Sequence, residues 1–500
     1  MISFYMRWFL PVLFLSLAVC AVGEEAGKKG QAKGAKPEPA PVRTHGAVML
    51  DGAPLEYAAT AGRLTLESDE GKPLAHVFFV AYEVEDRGER PVTFVFNGGP
   101  GSSAIWLHMG ALGPQRAILG REGLEIPQSY ELVDNAYTWL WFTDLVFVDP
   151  VGTGFSRAAE GVDASDFYRF GRDVRSMGRF IRMYISKYGR WMSPKVLVGE
   201  SYGTTRVAGL LDYLQAENGI NIDGAVLISS VLNFQTIMYD EGNDLPYVLA
   251  LPSLAAAALY HDRLPDFEDA APEEVLPEVE KWAVGAYSAA LARGDLVPEK
   301  MRENVANRLA SYTGLSPQYI LINKLRIGTH EFITQLMRES GQTLGLMDSR
   351  VLATAVSPES RYQRIDPALF IPTGPFVATF NAYVREKLQY ETLMEYEFLN
   401  LDINHAWKWR EGDQGYLVVT DELQEAVTLN TQFRAFCASG LYDLTCPYLT
   451  QEYALAHLGL DPRLRERVQY ARYPSGHQIY TSMKALDMLT EDVAGFYGKL

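Results

Sequence analysis

The sequence predicts an α/β fold with a mostly parallel central sheet, and three observations support this class. Short continuous apolar runs, such as Val92–Phe96 and residues 145–148, are typical of strands that are buried on both faces. Helical stretches, including residues 166–188, separate these runs along the chain, and such alternation indicates a sheet covered by helices. A hairpin pattern at residues 63–66 and 76–82 precedes them, with turn residues between its two strands.

The composition argues against one class of partner. The chain has 500 residues, with 62 acidic and 45 basic side chains and a formal net charge of -17. A protein that binds nucleic acid through its phosphates needs clustered Lys and Arg. We therefore predict no nucleic-acid partner.

The N-terminus is predicted to be an export signal. Residues 1–23 combine the basic Arg7, an apolar stretch at 8–22 and a small-residue cleavage site at 21–23. An uncleaved anchor is the alternative, and a lipoprotein anchor at Cys20 is a weaker one. We expect a periplasmic or secreted protein with no stable membrane span after cleavage. Residues 24–44, rich in Ala, Gly, Lys and Pro, are predicted to be a flexible linker.

Beyond the linker, the pattern predicts one domain that is interrupted by an insertion. Residues 45–236 form the first part of the predicted core, and residues 416–500 return to strand and helix alternation. Residues 237–415 are dominated by helix-like sequence and are predicted to be a helical cap. Cys437 and Cys446 follow the insertion, and an exported protein could join them. Their pairing and the oligomeric state stay open.

The segment 199–203, Gly-Glu-Ser-Tyr-Gly, contains the predicted nucleophile, Ser201. It follows a predicted strand and precedes a predicted helix at 204–215, which is the strand–turn–helix setting of the nucleophile elbow. A serine there stands at the edge of the sheet, beside the positive end of a helix. The sequence therefore predicts the α/β-hydrolase fold, which is a mostly parallel central sheet with an inserted helical cap.

A serine hydroxyl needs a base, and in this fold the acid and then the histidine follow the serine along the chain. His477 lies in a loop after a predicted strand, whereas His457 lies in a helical stretch. We therefore predict His477 as the general base. Asp443, just beyond another predicted strand, is the predicted acid that orients it, with Asp461 as the fallback.

A second glycine-rich loop, at 97–103, follows the strand Val92–Phe96. The oxyanion hole of this fold uses the amide after the nucleophile and one amide from an early loop. These would be the amides of Tyr202 and Gly99, and each such donor typically contributes about 3 kcal/mol of transition-state stabilisation.

Six segments together resemble the serine carboxypeptidases, and most closely their bacterial exported branch. They occur in order along the chain: NGGPGSS (97–103), ALGP (111–114), DPVGTGFS (149–156), GESYG (199–203), GLYD (440–443) and GH (476–477). The resemblance implies an α/β-hydrolase core with a helical cap, a peptide substrate that loses single C-terminal residues, and no metal or organic cofactor.

The resemblance also implies residues that bind the terminal carboxylate of the substrate. They are Asn97, Gly98 and Glu200, and binding by a carboxyl group requires a shared proton. The family has a second Glu where this sequence has Ala111, which puts exopeptidase specificity and an acidic optimum in question.

Other functions remain open from sequence. An esterase or an acyltransferase could use the same site, and a non-catalytic binding protein on the same scaffold is a further alternative. A zinc protease is rejected, because His330-Glu331 is followed by Thr334 where the motif needs a second histidine.

Overall fold

The computed structural model describes residues 40–85, 88–357, 363, 365–409 and 415–500. All of them lie in one compact unit, Glu38–Leu500. The predicted signal peptide and residues 24–39 of the predicted linker lie outside the described residues. Within the described ranges, no helix combines the length and the apolar character that a bilayer crossing needs.

The strands of the described residues are, in chain order, β1 Val42–Leu50, β2 Ala53–Glu67, β3 Pro73–Glu83, β4 Val92–Phe96, β5 Gln115–Ala117, β6 Leu132–Asp134, β7 Asp144–Val148, β8 Arg157–Ala158, β9 Lys195–Glu200, β10 Gly224–Ile228, β11 Gln342–Leu344, β12 Leu352–Thr354, β13 Arg434–Gly440 and β14 Val468–Tyr473. The α-helices are α1 Ile105–Leu107, α2 Phe170–Lys187, α3 Tyr202–Asp212, α4 Leu245–Tyr260, α5 Pro272–Trp282, α6 Ser288–Leu291, α7 Glu299–Thr313, α8 Pro317–Ile322, α9 Thr329–Gln335, α10 Pro367–Glu386, α11 Leu401–Ala406, α12 Thr420–Leu429, α13 Tyr448–Ala456 and α14 Met483–Tyr497.

Ten of these strands form one sheet in the order β1-β2-β3-β7-β4-β9-β10-β13-β14, with β8 paired to β3. The pairs from β1 to β7 are antiparallel, and those from β7 to β14 are parallel. The register aligns Phe96 with Gly199, and Ile228 with both Glu200 and Ala438. The carboxyl ends of four parallel strands therefore meet at one edge, where this architecture holds its ligands.

Both faces of the parallel part are buried. In β9, Val196 and Val198 pack into one apolar cluster, and Leu197 packs into the cluster on the opposite face. Helices cover each face, so successive side chains are all apolar although they point in opposite directions. This explains the continuous apolar runs, and the predicted α/β-hydrolase fold is confirmed.

The chain between β10 and β13 is mostly helical in its described residues. Helices α4 to α9 build a third apolar cluster, which also includes Leu441, Tyr442 and Leu444 from the loop after β13. This contact packs that loop against the helical segment. The segment also contains the hairpin β11–β12, whose three-residue strands are too short to leave a period in the sequence. At the other end, β1 begins at Val42, inside the segment predicted as linker.

Candidate active site

Ser201 lies in the turn between β9 and α3 with a positive φ of 59°, which is uncommon for a residue with a side chain. The flanking glycines permit this sharp turn. A Cβ on Gly199 would collide with the carbonyl oxygen of Gly203, and a Cβ on Gly203 would lie 2.6 Å from the Phe96 carbonyl oxygen. The turn is held to the sheet by the Ser201 amide, which donates to the Ile228 carbonyl over 3.0 Å. The candidate nucleophile therefore stands at the carboxyl edge, before the first turn of α3.

The predicted base and acid are hydrogen bonded to each other. The Nδ1 atom of His477 lies 2.7 Å from Oδ2 of Asp443, and both side chains are buried. The other carboxylate oxygen accepts the amides of Thr445 and Cys446 at 2.8 and 2.9 Å. A carboxylate oxygen can only accept, so Nδ1 carries the hydrogen and Nε2 is left to accept a proton. Asp443 thus fixes the tautomer that a general base requires.

Cys446 connects this pair to the nucleophile. Its thiol contacts both the Ser201 hydroxyl and the His477 imidazole, and ligand atoms of Asp443, Cys446 and His477 all lie within 4.8 Å of one another. Burial raises the pKa of the thiol, which keeps it neutral at physiological pH. Cys446 and Cys437 are both unpaired. Sequence reasoning considered Cys446 for a disulfide and missed its place in the site, because a single cysteine carries no motif.

The charge on His477 is set by two opposing effects. Burial disfavours the imidazolium, but the Asp443 carboxylate outweighs that cost and raises the pKa of His477 well above its usual value. An imidazole that is stabilised in its charged form accepts a proton more readily. The environment therefore favours proton transfer to this ring.

The predicted oxyanion loop packs directly against the nucleophile turn. A Cβ on Gly98 would lie 2.6 Å from the amide nitrogen of Tyr202, so only a glycine permits this approach. Gly99 follows with a φ of 100°, a conformation that favours glycine. The Asn404 side chain, in α11, donates to the carbonyl oxygen of Gly99 over 3.1 Å. The structure thus brings together the two segments whose amides are the predicted donors.

A buried ion pair supports the loop from below. Nε of Arg206 lies 2.8 Å from Oδ2 of Asp173, and the guanidinium also donates to the Asn97 carbonyl oxygen over 2.7 Å. The Tyr202 hydroxyl donates to the same Asp173 oxygen over 3.1 Å. The pair lies beneath both the nucleophile turn and the oxyanion loop. Sequence reasoning missed it, because it joins α2 and α3 to the loop after β4, which is more than 70 positions away along the chain.

Glu200 and Asn97 meet beside Ser201. The Asn97 amide donates to Oε1 of Glu200 over 3.1 Å, and both side chains are buried. Burial raises the pKa of Glu200 to about 7, and the positive charge of His477 and the donors of Tyr480 and Asn97 only partly oppose this effect. A neutral carboxyl group next to the nucleophile can donate a hydrogen bond.

The two alternatives for base and acid lie away from these groups. His457 is exposed at the end of α13, and its Nδ1 lies 2.7 Å from the Tyr453 carbonyl oxygen. Asp461 forms an ion pair with Arg463 over 2.7 Å, where the Arg463 side chain is largely exposed. The geometry therefore favours His477 and Asp443 over these two residues.

Comparison with known proteins agrees with this geometry. Residues 52–266 match the family model described as serine carboxypeptidase. A serine carboxypeptidase-like protein of Arabidopsis thaliana is 25% identical over 205 residues, which are 37% of each chain. A serine-type carboxypeptidase of Aspergillus niger is 26% identical over 194 residues, which cover 36% of this chain and 32% of that protein. The matches thus span about a third of these relatives.

A solved structure extends the likeness to the fold of most of the chain. The prohormone-processing carboxypeptidase of Saccharomyces cerevisiae aligns with 88% of this chain and 91% of its own, with a TM-score of 0.54 and 15% identity. The matched segment 52–266 contains the candidate nucleophile and the oxyanion loop. The family match and the relatives thus make this chain similar to the serine carboxypeptidases, and the solved structure shows a shared fold.

Proposed function

We propose that the protein is a serine carboxypeptidase that releases C-terminal residues from peptides through an acyl-enzyme on Ser201. One observation carries the proposal: the hydroxyl of Ser201 and the imidazole of His477 contact the same thiol, with His477 hydrogen bonded to Asp443. The family match over residues 52–266 supports the reaction class.

The proposed reaction proceeds in two steps. Ser201 Oγ attacks the carbonyl carbon of the last peptide bond while Nε2 of His477 takes its proton. The amides of Gly99 and Tyr202 stabilise the oxyanion. The imidazolium then gives that proton to the departing amine, and the C–N bond breaks. Water attacks the resulting ester by the reverse sequence, which releases the shortened peptide and restores Ser201.

Selection of the last peptide bond requires a group that binds the terminal carboxylate. We assign this role to Glu200 in its neutral form, together with Asn97 and Gly98. An ionised Glu200 would repel the substrate, whereas a protonated one donates to it. The raised pKa of Glu200 supports this assignment, because it keeps a large fraction of the carboxyl neutral near pH 7.

A direct test compares two N-blocked dipeptides of the same sequence, one with a free C-terminal carboxylate and one with a C-terminal amide. We expect release of the free C-terminal amino acid from the first, and loss of that activity in Ser201→Ala. A fluorophosphonate probe should label the unmodified protein and not this variant. Turnover of simple esters without release of any amino acid from the peptide would reject the peptidase and leave an esterase or an acyltransferase.

We also propose that the protein is exported, to the periplasm or the medium, as in the bacterial exported branch. The support is the sequence of residues 1–23, with a basic residue, an apolar stretch and a small-residue site. N-terminal sequencing of the mature protein from its native host tests this. A mature chain that begins near residue 24 is expected, and a chain that retains residue 1 would reject cleavage.

A further inference from the structure

Two buried oxygen atoms beside Ser201 lack a hydrogen-bond partner among the described residues. They are Oε2 of Glu200 and the hydroxyl of Tyr480, and their residues are only 3% and 1% exposed. The hydroxyl lies close enough to Glu200, Asn97 and Gln478 to interact with each of them, but none of these contacts has regular hydrogen-bond geometry. Unpartnered buried polar atoms are costly, so two of them in one place indicate a site for a ligand.

In its neutral form, Glu200 carries its proton on one of these two oxygen atoms. Asn97 donates to Oε1, and an oxygen that accepts an N–H bond is the less favourable one to carry a proton. A neutral Glu200 therefore carries its hydrogen on Oε2, the oxygen without a partner. Tyr480 adds a second O–H donor beside it. Two converging donors suit the two oxygens of a carboxylate.

Tyr480 also lies against the segment in which the resembled family has its second Glu. Its ring packs on the backbone of Gly110, where an added Cβ would lie 2.6 Å from two ring carbons. The next residue is Ala111, which has no polar side chain. Tyr480 belongs to the short turn Ile479–Thr481, three positions after His477. The ring of Tyr480 thus lies against the residue that precedes the position without the acid.

We propose that Tyr480 binds the terminal carboxylate of the peptide substrate together with neutral Glu200, in place of the missing second acid. The inference rests on the proposed carboxypeptidase function. It assigns a specificity-determining role to a residue outside the six recognised segments. A phenol also differs from an acid in one respect, because it donates without titrating below pH 10. Binding of the substrate carboxylate should then depend on the ionisation of Glu200 alone, and not on the ionisation of two acids.

The test is Tyr480→Phe, which removes only the hydroxyl. The measured quantity is kcat/KM for the free-carboxylate dipeptide divided by kcat/KM for its C-terminal amide, at pH 6. A hydrogen bond to a charged group is typically worth enough that this ratio should fall about 10- to 100-fold, through KM of the carboxylate substrate. The matched control is Tyr287→Phe, which removes another buried hydroxyl, hydrogen bonded to the Leu325 carbonyl oxygen over 2.7 Å. It should keep the original ratio.

Three outcomes would overturn the inference. An unchanged ratio in a folded Tyr480→Phe variant, or equal losses on both substrates, would show that the hydroxyl does not touch the carboxylate. If the variant does not fold, the test is the pH dependence of KM in the unmodified enzyme. Between pH 5 and 9, KM for the free-carboxylate peptide should rise with the loss of a single proton. A two-proton dependence would refute the role of Tyr480. If the unmodified enzyme releases no amino acid at any pH, the proposed function itself fails.

Discussion

Replacement of Glu200 by Gln should change how stability depends on pH. The side chain is 3% exposed, and burial raises its pKa from 4.5 to about 7. In the folded protein it holds its proton up to about pH 7, while in the unfolded chain it loses the proton near pH 4.5. The folded state therefore binds more protons between these values, and stability falls as pH rises through this window.

The size of the effect follows from the shift. The pKa of Glu200 is higher in the folded protein by about 2.5. A pKa difference of one corresponds to about 1.4 kcal/mol, so the folded state loses about 3 kcal/mol of stability across this window. The side-chain amide of the Glu200→Gln variant has no proton to lose in this range. The difference in unfolding free energy, variant minus unmodified protein, should therefore rise by about 3 kcal/mol between pH 4 and pH 8, whatever its value at pH 4.

Urea denaturation at several pH values between 4 and 8 measures this difference. Glu160→Gln is the matched control, because Glu160 is exposed, and its profile should run parallel to that of the unmodified protein. A difference for Glu200→Gln that stays constant within about 0.5 kcal/mol across the range would refute the reasoning. The same variant should also abolish the rise in KM for a free-carboxylate peptide, expected in the unmodified enzyme at about tenfold per pH unit above pH 7.

Three further substitutions test the geometry of the site. Asp443→Asn should lower kcat about 10⁴-fold with the fold retained, because an amide no longer enforces the base tautomer; a loss below about tenfold would contradict that role. Gly98→Ala places a Cβ 2.6 Å from the Tyr202 amide and should lower kcat about 10²- to 10³-fold by displacing an oxyanion donor, while fluorophosphonate labelling slows in parallel. Asp173→Ala leaves the buried charge of Arg206 uncompensated and should cost about 3–5 kcal/mol in urea denaturation; a cost below about 1 kcal/mol would show that the pair is dispensable.

The fold was predictable because its central strands are buried on both faces. The centre of a strand such as β9, at 196–198, is then apolar on both faces, and a covering helix follows it, so a local sequence pattern reports a tertiary arrangement. The short hairpin β11–β12 and the first strand left no such pattern. Among the described strands β1 pairs with β2 alone, and alternate residues of β1 are exposed, so its first residues, 42–44, were predicted as linker.

The candidate site was predictable to the extent that its residues follow strand ends. Ser201, Asp443 and His477 each lie directly beyond a strand or in the loop after it, and parallel strands bring those loops together. Their catalytic roles stay predictions. Cys446 and Tyr480 could not be found in this way, because their roles depend on side-chain contacts between distant segments. Such contacts are specified by packing and leave no spacing in the sequence.

The two buried carboxyl groups next to His477 have different surroundings, which fits the separate roles that we propose for them in catalysis and recognition. Asp443 accepts three hydrogen bonds, two of them from backbone amides, so its negative charge is satisfied where the imidazolium forms. Within the described part of the chain, Glu200 accepts one regular hydrogen bond and its other oxygen has no regular partner, so its neutral form is favoured where we propose that a substrate anion binds. Burial raises the pKa of Glu200, and a carboxyl group that keeps its proton suits a site that would bind an anion. Because the proton on Glu200 is not the one that Ser201 transfers, alkaline pH should weaken binding of a free carboxylate before it affects turnover of an ester that lacks one. If ester turnover were instead lost first as pH rises above 7, the ionisation of Glu200 would affect both the acyl-transfer step and the binding of the carboxylate.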